Sequence, residues 1–276
     1  MRGKRAGLIA CSCVITIASA FHPPITPQVS VATTEDGYVI ESEEGRSRIP
    51  PLPTLKNRYF ALRHGQSMAN LEGIISSDPA IGTTIHGLTS SGKAQARSAA
   101  TGLIESVGRE DIDKLLFVSS DFTRAIETAN ECAEALYRIT TFERSAESLG
   151  TQRAQVVVRK ELRERFFGEL EGTVLLNYNR VWPLDLKDAA SDAYGVESVE
   201  QVISRFRSMM LELEQQYSDR CLVLTSHADT LQITQCYVSG VDERLFSQYR
   251  FRNAEVRELL PNVPSSLPAP RPLTFQ

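Results

Sequence analysis

Between residues 57 and 260, short apolar segments typical of β-strands alternate with longer segments of helical periodicity. The clearest helix spans 197–217, where apolar residues recur 3, 4, 7, 10, 11 and 14 positions after Val199. This alternation predicts an α/β fold with three layers, in which a mostly parallel sheet carries helices on both faces. The predicted strands are 59–62, 115–118, 156–158, 221–224 and 256–260, and the predicted helices are 89–107, 121–138, 197–217 and 229–239.

Proline marks the limits of this segment, because all but two of the 13 prolines lie outside it. Proline fixes φ and lacks an N–H, so we expect no regular element in the flanks. The chain therefore divides into a signal peptide (1–20), a transit segment or disordered linker (21–56), one globular domain (57–260) and a Pro-rich tail (261–276).

The first twenty residues have the composition of a secretory signal peptide. Cations precede an apolar stretch of small residues, and Ala18 and Ala20 occupy the −3 and −1 positions of an A-x-A cleavage site. The junction ASAF resembles that of bipartite plastid presequences in algae with complex plastids. Residues 22–34 agree with such a transit segment, whereas the acidic residues in 35–44 do not. We expect delivery to the plastid, with secretion as the alternative, and no stable membrane anchor after cleavage.

Charge and cysteine content exclude several classes of protein. A net charge of −4 gives no reason to expect nucleic acid as a partner. The three cysteines beyond the signal peptide are scattered and lack CxxC spacing, so they indicate core residues and neither a disulfide framework nor a zinc site. No cofactor or metal is expected.

Charged and polar residues follow four of the predicted strands. In parallel sheets, ligands bind beyond the carboxyl ends of the strands, so these side chains are expected to converge there. Arg63 and His64 suit an anion site, since a guanidinium matches phosphate oxygens and an imidazole can act as a nucleophile near neutral pH. The residues concerned are Arg63 and His64, Ser119, Ser120 and Arg124, Arg159 and Glu161 to Glu164, and Ser226 and His227.

Each of these residues also has a structural interpretation. His64 and His227 could be buried core histidines, and Arg124 could be a helix-surface residue paired with Glu127 or Asp121.

Gly65 is expected to let the backbone turn sharply and present N–H groups to an anion.

Five segments, in order along the domain, resemble motifs of the histidine phosphatase superfamily, whose fold is phosphoglycerate mutase-like. The family patterns are RHGxSxxN, LTxxGxxQA, SPxxRAxxTA, LxERxxGxxEG and VSHGxxL. The corresponding segments are LRHGQSMAN at 62–70, HGLTSSGKAQA at 86–96, SSDFTRAIETA at 119–129, LRERFFGELEG at 162–172 and LTSHADTL at 224–231.

The resemblance implies a phosphohistidine mechanism without a metal. His64 would attack phosphorus, and Glu164 would protonate the leaving oxygen and then deprotonate water. A ring of donors that includes a protonated histidine would stabilise the transferring oxygens. The substrate-binding residues implied are Arg63, Gly65, Asn70, Arg124 and His227.

Two departures and one rival carboxylate leave parts of this site open. Asp121 stands where the family has proline and could weaken anion binding or move Arg124, and Ala228 stands where glycine is usual. Glu164 matches the motif position, with Phe166 and Phe167 as an apolar wall that could keep its carboxyl protonated. Asp229 is a rival acid or a helix cap.

The phosphatase branch is favoured over a mutase. Between the glutamate motif and the second histidine, the early part of the segment carries only Arg180 and Lys187 as cations, too few for a bisphosphate intermediate. The predicted function is that of a phosphomonoesterase for a small phosphorylated metabolite, with a sugar phosphate as one candidate. The alternatives are a phosphoglycerate mutase-type transfer and a non-catalytic phosphate-binding protein. Residues 71–87 and 173–195 are predicted to form the pocket walls.

Overall fold

Seven strands form two sheets in the computed structural model, which describes residues 31–34, 37–40, 42–143 and 155–271. The central sheet has five strands in the order β5–β4–β6–β3–β7. Its first four strands are parallel, and β7 pairs antiparallel with β3 at the edge. The strands are β1 (Val31–Thr34), β2 (Gly37–Ile40), β3 (Arg58–Arg63), β4 (Leu115–Ser119), β5 (Val156–Val158), β6 (Cys221–Ser226) and β7 (Val256–Glu258).

The described residues also form seven α-helices, linked in several places by short 3₁₀ turns. The long helices lie within a few residues of their predicted bounds. Three short helices, α1, α2 and α5, occupy stretches without a helical pattern. The helices are α1 (Met68–Glu72), α2 (Pro79–Gly82), α3 (Ser90–Val107), α4 (Thr123–Glu143), α5 (Tyr178–Asp185), α6 (Val199–Gln216) and α7 (Ala228–Ser239).

Alternate residues of each strand face opposite layers of helices. In β3, Phe60 and Leu62 pack with residues of α3 and α4, whereas Tyr59 and Ala61 pack with residues of α6 and α7. The apolar stripe of α6 is completely buried, as its periodicity predicts. The three-layer, mostly parallel α/β fold is therefore confirmed, with one antiparallel edge strand. Cys132, Cys221 and Cys236 are unpaired core residues, as expected.

The segment before the sheet is more ordered than its prolines indicate. β1 and β2 form an antiparallel hairpin, so the expectation of no regular element before residue 57 is wrong there. Residues 42–56, which we call the N-terminal strap, lie against α6 and α7. Ile49, Leu52 and Leu55 of the strap pack on the core. The predicted signal peptide lies outside the described residues.

Polar contacts hold the N-terminal strap in place. Arg244 donates to the carbonyls of Ser42 and Glu44, and the Tyr237 hydroxyl donates to the Pro50 carbonyl at 2.6 Å. Leu267 of the Pro-rich tail packs against the same core as the strap. Among the helices that the structure describes, none is long and apolar enough to cross a membrane.

Candidate active site

The two histidines meet because their strands are neighbours. β3 and β6 are paired in parallel with Arg63 opposite Ser226, so the next residues, His64 and His227, leave the sheet side by side. The His64 N–H donates to the Ser226 carbonyl at 2.9 Å, which extends the pairing by one residue. The ring centroids of the two histidines are 5.1 Å apart. Both side chains are buried beyond the carboxyl edge of the sheet, where the sequence places the site.

Hydrogen bonding defines the tautomer of His64. Its Nδ1 lies 2.7 Å from the Gly65 carbonyl, which can only accept, so Nδ1 carries the proton. Nε2 is therefore unprotonated, and it accepts a hydrogen bond from Nε of Arg124 at 3.3 Å. Burial lowers the pKa of His64 well below its ordinary value, and the charges of Arg124 and Arg63 lower it further. His64 thus presents a neutral ring with a free lone pair, as a nucleophile requires.

Arg124 joins the two histidines. Its Nε–H is shared between His64 Nε2 and His227 Nδ1, the latter at 3.2 Å, and its Nη2 donates to the Ser76 carbonyl at 2.7 Å. The side chain is buried, and burial lowers the pKa of Arg124 to about 10. Arg124 therefore lies at the site and not on a helix surface.

The carboxylates that could have paired with Arg124 have other partners. Glu127 accepts from the Leu88 N–H at 2.6 Å. Asp121 binds Arg163 through two hydrogen bonds of 2.8 and 2.6 Å. Asp121 is thus ion-paired with Arg163, while Arg124 bonds the two histidines and Ser76. An effect of Asp121 on anion binding stays a prediction. Ala228 lines the cavity as the first residue of α7.

His227 is neutral as well. Its Nδ1 accepts from Arg124, so the proton lies on Nε2, which is 2.9 Å from the Ser120 hydroxyl. Burial lowers the pKa of His227 well below its ordinary value, and the Arg124 charge adds to this effect. The expected protonated histidine is therefore not the state of this side chain in the structure, and the positive charge of the site comes from arginines.

Arg63 carries an unused donor. Its Nη1 donates to the Phe251 carbonyl at 2.6 Å, while its buried Nε has no hydrogen-bond partner. Burial lowers the pKa of Arg63, with partial compensation from the Glu164 charge. A buried N–H without an acceptor is costly unless a ligand accepts from it. This donor, beside His64, is consistent with an anion site.

Glu164 is held by one of its two carboxyl oxygens. Its Oε1 accepts from the Arg165 N–H at 3.0 Å and from the N–H and hydroxyl of Thr230 at 3.2 and 3.3 Å. Glu164 is 8% exposed and lines the same cavity as His64. The predicted apolar wall is wrong, because Phe166 is 40% exposed and Phe167 is buried against Tyr178. Tyr178 itself lines the cavity.

Asp229 lies in the same cavity as Glu164. It is buried, and it accepts from Trp182 Nε1 at 3.1 Å and Gln232 Nε2 at 3.3 Å. Burial raises the pKa of Asp229 to about 7, and the Glu164 charge contributes to the rise. Asp229 does not cap α7, because His227 is the N-cap residue there and makes no side-chain cap hydrogen bond. It remains an alternative proton donor.

Asn70 and Gly65 differ in how they relate to the site. Asn70 lines the cavity, and its Oδ1 accepts from the Ser67 N–H at 3.2 Å at the start of α1. The N–H of Gly65 donates instead to the Thr128 hydroxyl at 3.0 Å. The expected role of Gly65 in substrate binding is therefore wrong, because this N–H does not face an anion.

Gly65 is required by close packing. A Cβ at this position would lie 2.4 Å from the Gly92 carbonyl oxygen in α3. Gly65→Ala is expected to lower the free energy of unfolding by about 1–3 kcal/mol and to displace His64, with a loss of activity. Chemical denaturation and turnover measurements test this.

Gly102→Ala is the matched control, because its Cβ would have no neighbour within 4 Å and it lies inside α3. This change should stabilise the protein by up to about 1 kcal/mol. Equal behaviour of the two variants would contradict the packing role of Gly65.

The cavity that joins these residues has a volume of about 180 Å³. Ile74 and Ser76 from residues 71–87, and Leu175, Tyr178 and Trp182 from residues 173–195, line it, so the predicted walls are confirmed. One cation was missed. Arg250 lines the cavity from an irregular segment that matches no motif, and no local sequence signal indicates it.

In the described part of the chain, no group of three or more His, Cys, Asp or Glu side chains could hold a metal ion. The reactive groups in the cavity are one unprotonated imidazole nitrogen, guanidinium groups and two carboxyl groups. Together they suit the transfer of a phosphoryl group.

Several proteins of solved structure share the fold of this chain. No curated protein sequence matches the chain. Among solved structures, a mycobacterial glucosyl-3-phosphoglycerate phosphatase is similar, with a TM-score of 0.55 and 23% identity over 73% of this chain and 88% of its own. A variant of the Entamoeba histolytica phosphoserine phosphatase has a TM-score of 0.52 and 19% identity over 73% of this chain and 89% of its own. A proposed α-ribazole-5′-P phosphatase of Escherichia coli has a TM-score of 0.52 and 20% identity over 80% and 97%.

These structures share the fold, and the sequence itself matches a family. The family model of the histidine phosphatase superfamily (branch 1) covers residues 59–262. That range contains the sheet from β3 to β7, both histidines, Arg124 and Glu164. The chain therefore belongs to the histidine phosphatase superfamily.

Proposed function

We propose that the protein is a metal-independent phosphomonoesterase that acts on a small phosphorylated metabolite through a phosphohistidine intermediate. One observation carries the proposal: the unprotonated Nε2 of His64 lies in a cavity with two arginines, Arg63 and Arg124, and the carboxyl group of Glu164. Nucleophile, anion-binding donors and proton donor are thereby present in one cavity.

In the first step the phosphoryl group moves to His64. The Nε2 lone pair forms a bond to phosphorus as the bond from phosphorus to the ester oxygen breaks, and Glu164 gives its proton to that oxygen. Arg63 and Arg124 stabilise the charge on the three equatorial oxygens. A phosphoryl dianion next to His227 favours its protonated form and opposes the effect of burial. His227 can then become an additional donor.

In the second step water releases the phosphoryl group. The water oxygen forms a bond to phosphorus while the bond from His64 Nε2 breaks and returns its electron pair to the ring. Glu164, now a carboxylate, accepts the proton of the water, which restores the starting state. The three hydrogen bonds on Oε1 hold the carboxyl group in one orientation for both steps.

The class of substrate is supported by similar proteins and by the size of the site. The similar solved structures are described as phosphatases for glucosyl-3-phosphoglycerate, phosphoserine and α-ribazole-5′-P, all of them phosphorylated small molecules. A cavity of about 180 Å³ suits a compact phosphomonoester. A sugar phosphate is one candidate.

Hydrolysis is favoured over mutase-type transfer. Arg180 and Lys187, the two early cations between the motifs, are both exposed, and neither lines the cavity. Arg180 instead lies over the ring of Tyr194, 4.4 Å from its centroid. A mutase must retain a doubly phosphorylated intermediate and exclude water, and these two residues do not serve that purpose.

Phosphate release by the full-length protein from p-nitrophenyl phosphate in EDTA tests the proposal. We expect turnover that EDTA does not reduce. No turnover of any phosphomonoester by folded protein would reject the phosphatase. Conversion of 3-phosphoglycerate to 2-phosphoglycerate, with a bisphosphate added and without phosphate release, would establish the mutase instead.

The proton donor is tested by the leaving group. Glu164→Gln should lower kcat/KM by about 100-fold or more for glycerol 2-phosphate, because an alkoxide needs a proton to leave. The loss should be at least about tenfold smaller for p-nitrophenyl phosphate, since nitrophenolate leaves without one. The ratio of kcat/KM for the two substrates is the measurement, because it reports the first step alone.

Asp229→Asn is the matched comparison for Glu164→Gln. It removes the rival carboxyl group and keeps a side chain of the same shape. The ratio of kcat/KM should stay close to that of the wild type in this variant. If Asp229→Asn shows the leaving-group dependence and Glu164→Gln does not, Asp229 is the acid.

A further inference from the structure

Arg250 is a third arginine in the cavity and has no part in the steps above. It lies in the irregular segment between α7 and β7, next to Phe251, whose carbonyl holds Arg63. It lines the same cavity as His64 and Glu164. Two arginines are already placed at the phosphoryl group, so the charge of Arg250 needs its own explanation.

The side chain of Arg250 is oriented but not neutralised. Its Nε donates to the Ser247 carbonyl at 3.0 Å, and its guanidinium carbon lies 5.4 Å from the centroid of the Trp182 ring. Among the described residues its terminal nitrogens have no hydrogen-bond partner and no carboxylate within 4 Å. Burial lowers the pKa of Arg250 and the charge of Arg271 lowers it further, while the charge of Asp229 raises it. The guanidinium remains a cation at neutral pH, because the ordinary pKa of arginine is far above 7.

Most other partly or fully buried arginines of the domain pair with a carboxylate. Seven partly or fully buried arginines outside the cavity each pair with a carboxylate, at distances between 2.6 and 3.1 Å. Arg63, Arg124 and Arg250 have no such partner in the described part of the chain. Arg207, which lies outside the cavity and donates to the Pro50 carbonyl, has none either. The paired residues are Arg58 with Glu258, Arg159 with Glu212, Arg163 with Asp121, Arg165 with Asp185, Arg205 with Glu197, Arg244 with Asp242 and Arg257 with Glu255.

The backbone that carries Arg250 is fixed in position. Arg257 donates to the Arg250 carbonyl at 2.6 Å and to the Tyr249 carbonyl at 3.2 Å, and Gln235 also donates to the Tyr249 carbonyl. The Arg257 guanidinium lies 3.9 Å from the centroid of the Phe251 ring. A donor held this way loses little freedom when a ligand binds, so its contribution to affinity is larger.

We propose that Arg250 binds a second anionic group of the substrate, a carboxylate or a second phosphate, on the part of the molecule that is not transferred. The fork of two terminal nitrogens matches either group. The preferred substrates are then small phosphomonoesters that carry an acid group on the carbon skeleton. This inference rests on the proposed function and narrows its substrate class.

Pairs of substrates that differ in one anionic group test the role of Arg250 in the full-length protein. O-phosphoserine differs from phosphoethanolamine by a carboxylate alone, and fructose 1,6-bisphosphate differs from fructose 6-phosphate by a phosphate alone. We expect the wild type to prefer the more anionic member of at least one pair by about tenfold or more in kcat/KM. The pair that shows the preference identifies the group.

Arg250→Gln should reduce that preference by about 10- to 100-fold, the effect of one charge-assisted hydrogen-bonded contact. Arg250→Lys should restore part of it, because the charge returns without the fork. Arg252→Gln is the matched control, since Arg252 is exposed two positions along the chain and does not line the cavity. A preference that survives in Arg250→Gln, or is absent from the wild type, overturns the inference.

Equilibrium binding separates this inference from the proposed function. If the wild type hydrolyses none of these compounds, calorimetric titration with O-phosphoserine and phosphoethanolamine gives the two affinities directly. Tighter binding of O-phosphoserine that is lost in Arg250→Gln supports the role of Arg250 and rejects only the hydrolase. Equal affinities in both proteins overturn the inference.

Discussion

Replacement of His64 by alanine should lower turnover of p-nitrophenyl phosphate by about 10⁴-fold or more, because no other group in the cavity can take its place as nucleophile. The Nε2 lone pair is directed by the hydrogen bond from Nδ1 to the Gly65 carbonyl, and a shorter side chain cannot supply it. Steady-state kinetics of the full-length variant provides the measurement. Unfolding curves should show that the variant is folded.

A covalent intermediate gives this prediction a second and independent measurement. Wild-type protein mixed with a labelled phosphomonoester and stopped in alkali should retain label on histidine, since phosphohistidine is labile to acid and stable to base. His64→Ala should retain none. Turnover in His64→Ala within tenfold of the wild type, or label that survives in it, would contradict the assignment of His64 as nucleophile.

Asp185→Asn should have the largest effect on stability, with a decrease of about 3–5 kcal/mol in the free energy of unfolding. Arg165 and Asp185 are 0% and 1% exposed, and both contacts of the pair measure 2.7 Å. Burial alone would lower the pKa of Arg165, but the Asp185 charge raises it above its ordinary value. Removal of that charge leaves a buried guanidinium without its two short contacts, and its remaining carboxylate neighbour, Asp229, lies 3.7 Å away.

Arg97→Gln is the control for this change. Arg97 pairs with Glu131 at a comparable 2.7 Å, but its side chain is 50% exposed. An exposed pair is screened by water, so this change should cost less than about 1 kcal/mol. Denaturation by urea, with the m-value compared between proteins, provides the measurement. A loss in Asp185→Asn no larger than in Arg97→Gln would contradict the role of the buried pair.

Asp185→Asn should also reduce activity. The pair joins the end of α5, which carries the cavity residues Tyr178 and Trp182, to the residue that follows Glu164. Arg165 donates its backbone N–H to the Glu164 carboxyl group. A shift of this residue therefore moves both a wall of the cavity and the proton donor.

Local patterns were enough to predict the sheet, its flanking helices and the residues that follow each strand. The continuous apolar run of strand 59–62 reflects the burial of both faces of the sheet. The apolar stripe of α6 reflects the burial of one face of the helix. His64, Arg124 and His227 converge because parallel strands end at one edge. The antiparallel direction of β7 (Val256–Glu258) has no local sequence signal, since the alternation of side chains between the two faces of a strand is the same in both directions.

The site features that the sequence did not reveal depend on contacts between residues far apart in the chain. The charge of Asp121 is balanced by Arg163, 42 residues further along the chain. The N–H of Gly65 is bound by Thr128, 63 residues away. Arg250 reaches the cavity because Arg257 and Gln235 fix an irregular segment beside Arg63. None of these pairings leaves a pattern within a window of neighbouring residues.

The N-terminal strap has a practical consequence for anyone who expresses the protein. A recombinant fragment that begins at residue 57, where the strand pattern starts, would lack Ile49, Leu52 and Leu55, and would expose the apolar surface of α6 and α7 that they cover. Exposed apolar patches promote self-association. A fragment that begins before Ser42 keeps the contacts of Arg244 and Tyr237, so its solubility should resemble that of the intact domain.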